Sequence, residues 1–200
     1  MNNKTKETKW SIDPAHSEIT FKVKHLMIAY VKGSFKKFDA NIYTSGNDFS
    51  TAEIDLWIDA SSLDTGDAKR DEHLKSADFF DVQNNKQITY TSSTIGKQDA
   101  DSNQELWGEL SMKGITKNIK LILEFGGIIK DPWGKERAGF TVTGKIKRSD
   151  WELTWNTIIE AGGLMVGEDV IISCEIELVK VDQKDLKMVL EPVAKDKAIL

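Results

Sequence analysis

Apolar and polar residues alternate with a period of two along most of this chain. From Ser17 to His25, Ile19, Phe21, Val23 and His25 share one parity while Glu18, Thr20, Lys22 and Lys24 take the other. Alternation of this kind predicts a strand with one apolar and one solvated face. Val31, Gly33 and Phe35 continue the pattern, after which Phe38, Ala40 and Ile42 adopt the opposite parity. A switch across Lys36-Lys37 predicts a β-bulge. Ala52, Ile54, Leu56 and Ile58 then alternate with Glu53, Asp55, Trp57 and Asp59. The stretch from Asp67 to Phe80 lacks β-branched residues and breaks the rhythm, which predicts one short helix there.

Strand patterns resume at Ile88, Tyr90 and Ser92, and again from Leu106 to Met112. Gly114 to Lys117 reads as a turn into the longest alternation, Ile119, Leu121, Leu123 and Phe125. Asp131-Pro132-Trp133-Gly134 carries the proline and glycine of a type I turn. Beyond it Ala138, Phe140, Val142, Gly144 and Ile146 alternate with polar neighbours, and a last strand runs from Val170 to Val179. The result is about eight strands joined mostly by short turns. A parallel sheet needs a crossover between consecutive strands, and one helix cannot supply them, so the sheet is antiparallel. Long hairpins favour a closed up-and-down barrel over a sandwich, since closure removes exposed edges. A barrel of this size holds either packed side chains or one ligand; alternation alone leaves that choice open.

Composition narrows the partners. The formal net charge of −5 argues against nucleic acid or anionic headgroups as main partner, without excluding a neutral lipid. The single cysteine, Cys174, precludes an internal disulfide and reads as a small buried hydrophobe. Residues 1–9 form a polar extension with no apolar run behind it, so no secretory leader or membrane anchor is read. The expected location is cytoplasmic, or periplasmic if a leader has been removed. Residues 10–180 form the barrel domain, and 181–200 a charged tail expected to be a peripheral helix or a disordered extension.

Ordered motifs add a family resemblance. Trp10-Ser11-Ile12-Asp13-Pro14-Ala15-His16-Ser17, running on to His25, resembles the opening strand of the YceI-like proteins. Val31-Lys32-Gly33-Ser34-Phe35 with Phe38 is similar to their second strand, and Arg70-Asp71-Glu72-His73-Leu74-Lys75-Ser76 with Asp78-Phe79-Phe80 to their helical segment. Gly108 to Lys117, Arg148-Ser149-Asp150-Trp151 and Val166-Gly167-Glu168-Asp169-Val170 follow in family order. Lys86 replaces the proline usual before one strand, and Glu152 a common glycine. The resemblance implies an all-β fold: an eight-stranded antiparallel lipocalin-like β-barrel with one short helical insertion, binding a polyisoprenoid, isoprenoid quinone or fatty acid or amide. It implies an apolar lipid as partner. It also suggests a homodimer, although no stripe marks an interface.

On that reading Phe21, Val23, Phe35, Phe38, Ile54, Leu56, Leu121, Leu123, Phe140, Val142 and Ile176 face the ligand by parity, as does Ile19. Gly33, Gly108 and Gly144 are expected either to leave room beside it or to mark bends of the barrel wall. His25 sits at the strand end, as a headgroup contact or a hydrogen-bonded structural histidine. Arg70 either meets the headgroup or, with Asp71, anchors the helix. His16, His25 and His73 lack the tight spacing of a metal site, so no metal and no cofactor is expected. No catalytic motif appears and no enzyme is expected, the alternatives being an enzyme acting on an isoprenoid-type lipid or a filled barrel serving as an interaction module. Of six tryptophans, some are expected to plug barrel ends, and Trp133 to make transient membrane contact.

Overall fold

The computed structural model describes residues 7–158 and 164–182. Its strands are β1 (Glu7–Ile12), β2 (Glu18–His25), β3 (Ala29–Phe35), β4 (Phe38–Ser45), β5 (Asp48–Asp59), β6 (Leu63–Asp64), β7 (Gln87–Ile95), β8 (Asn103–Met112), β9 (Ile115–Lys130), β10 (Glu136–Lys147) and β11 (Val166–Lys180). β1 and β2 run end to end, as do β3 and β4, so the wall has eight staves and every pairing is antiparallel. The closing seam is β11, which pairs with β10 on one side and with β1 and β2 on the other. Closure removes the sheet edges that such long strands would otherwise expose. The switch at Lys36-Lys37 is a break between β3 and β4, where the stave stops pairing with β2 at Ile19↔Phe35 and β4 begins its pairing with β5 at Phe38↔Ile58.

Turn chemistry fixes the register. Lys113 and Gly114 both hold positive φ, at 51° and 72°, so the β8–β9 hairpin closes in two residues. The turn therefore lies one residue earlier than Gly114 to Lys117, and β9 already starts at Ile115. Asp131 to Gly134 forms the expected turn: Gly134 N–H donates to the Asp131 carbonyl at 3.0 Å, and Asp131 Oδ1 accepts from Trp133 and Lys135.

The helix, α1, is shorter than the pattern suggested. It spans Ala68–Lys75, capped by Asp67, whose carboxylate accepts from the backbone of Lys69 and Arg70. Ser76 ends it by returning its hydroxyl to the His73 carbonyl at 2.7 Å. Turns then place Phe79 and Phe80 on the core. The last strand starts at Val166, four residues before the strong alternation, because the segment from Val166 to Val170 contains a register shift that hides the period. The tail expectation concerns residues outside the described range, apart from 181 and 182.

A lumen closed at one end and rimmed with charge at the other

Inward parity builds a cavity of about 600 Å³ rather than a filled core. Packed interiors leave few voids larger than a water molecule, whereas small-molecule sites run from about 300 to 1,000 Å³. Phe21, Val23, His25, Phe35, Ile54, Leu56, Arg70, Leu121, Leu123, Phe140, Val142 and Ile176 all line it, and so does Ile19. Phe38 does not. It is buried at 7 % exposure but belongs to the packed wall. As the first residue after the Lys36-Lys37 break, it shares the inward parity of Ala40 and Ile42 without reaching the void.

One end is sealed by aromatic rings. Phe49 packs on Trp10, Phe125 and Phe140 with centroids 5.0, 5.7 and 4.8 Å away. Trp10 is fully buried and donates Nε1 to Thr44 Oγ1 at 3.0 Å, which satisfies its polar edge. Outside this floor, Arg137 ties Asp13, Asp131 and Glu177 together. Asp13 is held down at about 2, chiefly by its bond to Arg137. Asp13, His16 and Glu177 are the one described group of carboxylates and histidine close enough to share a metal, but the guanidinium already occupies both carboxylates.

The opposite end is the mouth. There the lining residues include Asp67 and Lys69, which are exposed, beside Lys24, His25, Arg70 and His73. Arg70 donates Nε to Thr65 Oγ1 and Nη2 to the Thr65 carbonyl, at 2.8 and 3.0 Å. Asp71 accepts from the same threonine's N–H and hydroxyl. Both side chains thus fasten α1 to the segment after β6, while Arg70 also faces the lumen. His73 shares Asp78 at 2.9 Å and stands edge-on to Trp155 and Phe79. His16 lies apart, on the surface against Asp13. Trp151 is buried at this end, outside the lining, with Nε1 donating to the Leu110 carbonyl.

Two buried lining residues with polar groups were not among the expected site positions. Arg148 is 5 % exposed, and its Nε and Nη1 donate to the carbonyls of Gly167, Leu153 and Trp155. Burial lowers its pKa, because desolvation penalises the charge. Tyr90, also buried, lines the wall from β7. The signal for Arg148 lay in the sequence: it continues the inward parity of Val142, Gly144 and Ile146. The three glycines have a different meaning from the expected one. A Cβ at Gly33, Gly108 or Gly144 would strike Phe21, Tyr90 or Leu121. They make room for neighbouring lumen side chains to lie against the wall, not for a ligand.

An antiparallel barrel with an apolar, one-ended lumen belongs to the lipocalin-like binding folds. The YceI-like domain family matches residues 10–178, and the chain belongs to that family. A UPF0312 protein of Staphylococcus aureus is 38% identical over 171 residues, covering 85% of this chain and 96% of its own. Among solved structures, a YceI protein of Campylobacter jejuni matches with a TM-score of 0.66 at 34% identity, over 80% of this chain and 91% of that one. A polyisoprenoid binding domain from Saccharophagus degradans has the same fold at 18% identity, TM-score 0.66, over 86% of this chain and 98% of its own.

Proposed function

We propose that the protein binds and carries a long-chain apolar molecule, a polyisoprenoid, isoprenoid quinone or fatty acid or amide, in the barrel lumen. The enclosed apolar cavity with a single charged mouth carries this reading. Lumen depth supports it: Phe49 to Ile58 on β5 both line the cavity and lie nine residues apart. At about 3.4 Å per residue and a tilt of about 40°, that is a depth of roughly 23 Å. It exceeds one leaflet of a bilayer, whose full hydrocarbon core is about 30 Å.

Energetics make the ligand's source a membrane. At about 0.8 kcal/mol per CH₂, forty carbons would gain roughly 30 kcal/mol on leaving water. That is above the practical affinity ceiling of about 18–21 kcal/mol, so the competing home is lipid and transfer is near neutral. The mouth has a surface suited to that exchange. Met27 and Ile28 are exposed between β2 and β3, and Ile158 and Leu164 are exposed at an antiparallel bridge beside them, tied in by the Leu26 N–H to Met165 carbonyl bond at 2.8 Å. Lys24, under the ring of Tyr30 at 5.0 Å, stands beside them. Trp133 is 82 % exposed but sits on the β9–β10 turn, at the sealed end, so the lip at the mouth is the better membrane contact.

Mass spectrometry of an organic extract from purified protein tests the binding reading, which an empty extract with no uptake of an apolar fluorescent probe would overturn. Ile28→Glu is expected to slow probe transfer from phosphatidylcholine vesicles severalfold, with Trp133→Ser at the wild-type rate. The reverse order would put the contact at the floor.

A further inference from the structure

The lumen wall holds one fully buried polar atom, among the described residues, that the fold leaves unused. Among the described residues, the Tyr90 hydroxyl is the one buried side-chain oxygen or nitrogen with no hydrogen-bond partner. Tyr90 is 5 % exposed and lines the cavity. Its strand partners Leu56 and Leu110 line the cavity too, and they offer no polar side-chain group. A buried hydroxyl in this state forfeits the bonds it makes in water. Phenylalanine would fill the same volume without that penalty, so packing does not account for the oxygen.

The wall around the hydroxyl gives it a setting. Opposite it the wall is cut back to Gly108, where an added Cβ would lie 2.5 Å from Tyr90 Cζ and Oη and 2.5 Å from the Thr91 carbonyl oxygen. The hydroxyl end of the phenol therefore packs against the β8 backbone at Gly108. Arg148 brings a buried positive charge to the same lumen. Its bonds go to backbone carbonyls, and it forms no ion pair with a described carboxylate; Glu168 bonds Ser149 instead. Burial also raises the Tyr90 pKa, so the phenol keeps its proton, and hence its donor, throughout neutral pH.

We propose that Tyr90 Oη donates a hydrogen bond to a carbonyl or carboxylate oxygen of the lumen ligand, which therefore enters with a polar group inside the barrel. The inference rests on the lumen being the lipid site, and it narrows the ligand from any apolar chain to one bearing an oxygen acceptor. Arg148, a buried cation lining the same lumen, favours the same groups, since it attracts an acceptor's negative end.

Tyr90→Phe in the full chain separates this from a packing role. Without ligand the variant should melt at or above the wild-type temperature. Measured by displacement of a fluorescent apolar probe, palmitate and palmitamide should each bind about three- to tenfold more weakly, with hexadecane unchanged. Equal affinities of wild type and variant for palmitate and palmitamide would overturn the proposal. So would a matching loss for hexadecane, which would mean that the ring acts by shape. Failure of the wild type to take up any of the three would instead refute the lipid site itself, and the Tyr90 proposal with it.

Discussion

Phe49→Ala tests whether the floor is what ends the lumen. Phe49 is 8 % exposed and touches three other rings, Trp10, Phe125 and Phe140, within 5.7 Å. Core Phe→Ala changes cost about 3–5 kcal/mol, and aromatic pairs add about 0.5–1.5 kcal/mol each beyond area. One side of this ring, however, faces existing void, so removing it enlarges the lumen instead of creating a sealed cavity. The expected loss is then near the lower bound, about 3 kcal/mol. For a chain of this size that lowers the melting temperature by roughly 6–12 °C. Urea unfolding followed by tryptophan fluorescence reads it, with fully buried Trp10 as the adjacent reporter. A second readout is the chain-length profile of saturated fatty acids displacing a fluorescent probe, whose optimum should move to longer chains as the floor recedes. A stability loss under about 1 kcal/mol would show that the ring is not packed as a plug. Normal destabilisation with an unmoved chain-length optimum would show that ligand never reaches this end.

Three further outcomes follow from the wall. Gly108→Ala should cost about 1–3 kcal/mol, because its Cβ would meet the Thr91 carbonyl at 2.5 Å, and backbone cannot step aside; a wild-type urea midpoint would contradict that placement. Arg137→Met should release Asp13, held at about 2 against an ordinary 3.8. A depressed carboxylate stabilises the fold above its unfolded value and loses that contribution as pH falls through its folded one. The stability gap between wild type and Arg137→Met should therefore narrow as pH drops from about 4 towards 2, and urea midpoints at intervals across that range measure it; a constant gap would mean that the pair contributes nothing. Cys174 is 9 % exposed, and burial pushes its thiol up from 9.0 to about 12. The folded chain keeps that proton where the unfolded chain sheds it, so stability falls as pH rises from about 9 towards 12. Cys174→Ala should flatten that limb in urea midpoints taken across that range; an unchanged limb would contradict the burial of the thiol.

The wall was legible in the sequence because parity is a local signal. Each strand states its inward face within a few residues, and His25, Phe140 and Ile176 reach the lumen for the reason that Ile19 does. The lumen itself was not legible, since void depends on where the ends close, and those contacts are distant in sequence. Trp10 meets Phe49, and Phe49 meets Phe140, only after the barrel has closed. Phe38 shows the limit of parity, being inward and buried yet behind the lining. The glycines show a second limit, since a missing side chain in a strand reads as space, and whether that space is free depends on a neighbouring stave.

Arg148 shows that a polar residue can carry more information than the apolar run containing it. It follows Phe140, Val142, Gly144 and Ile146 on the inward parity, where a charge is costly unless its bonds are met. Three carbonyls meet part of that demand, Gly167 from β11 and Leu153 and Trp155 from the segment just after Arg148 itself. Tyr90 has the same standing on the facing wall with its demand unmet. The aliphatic positions explain why a chain of carbon can enter. These two buried polar groups bear on which chain enters, because a ligand without an acceptor would leave the Tyr90 oxygen as unsatisfied as it found it.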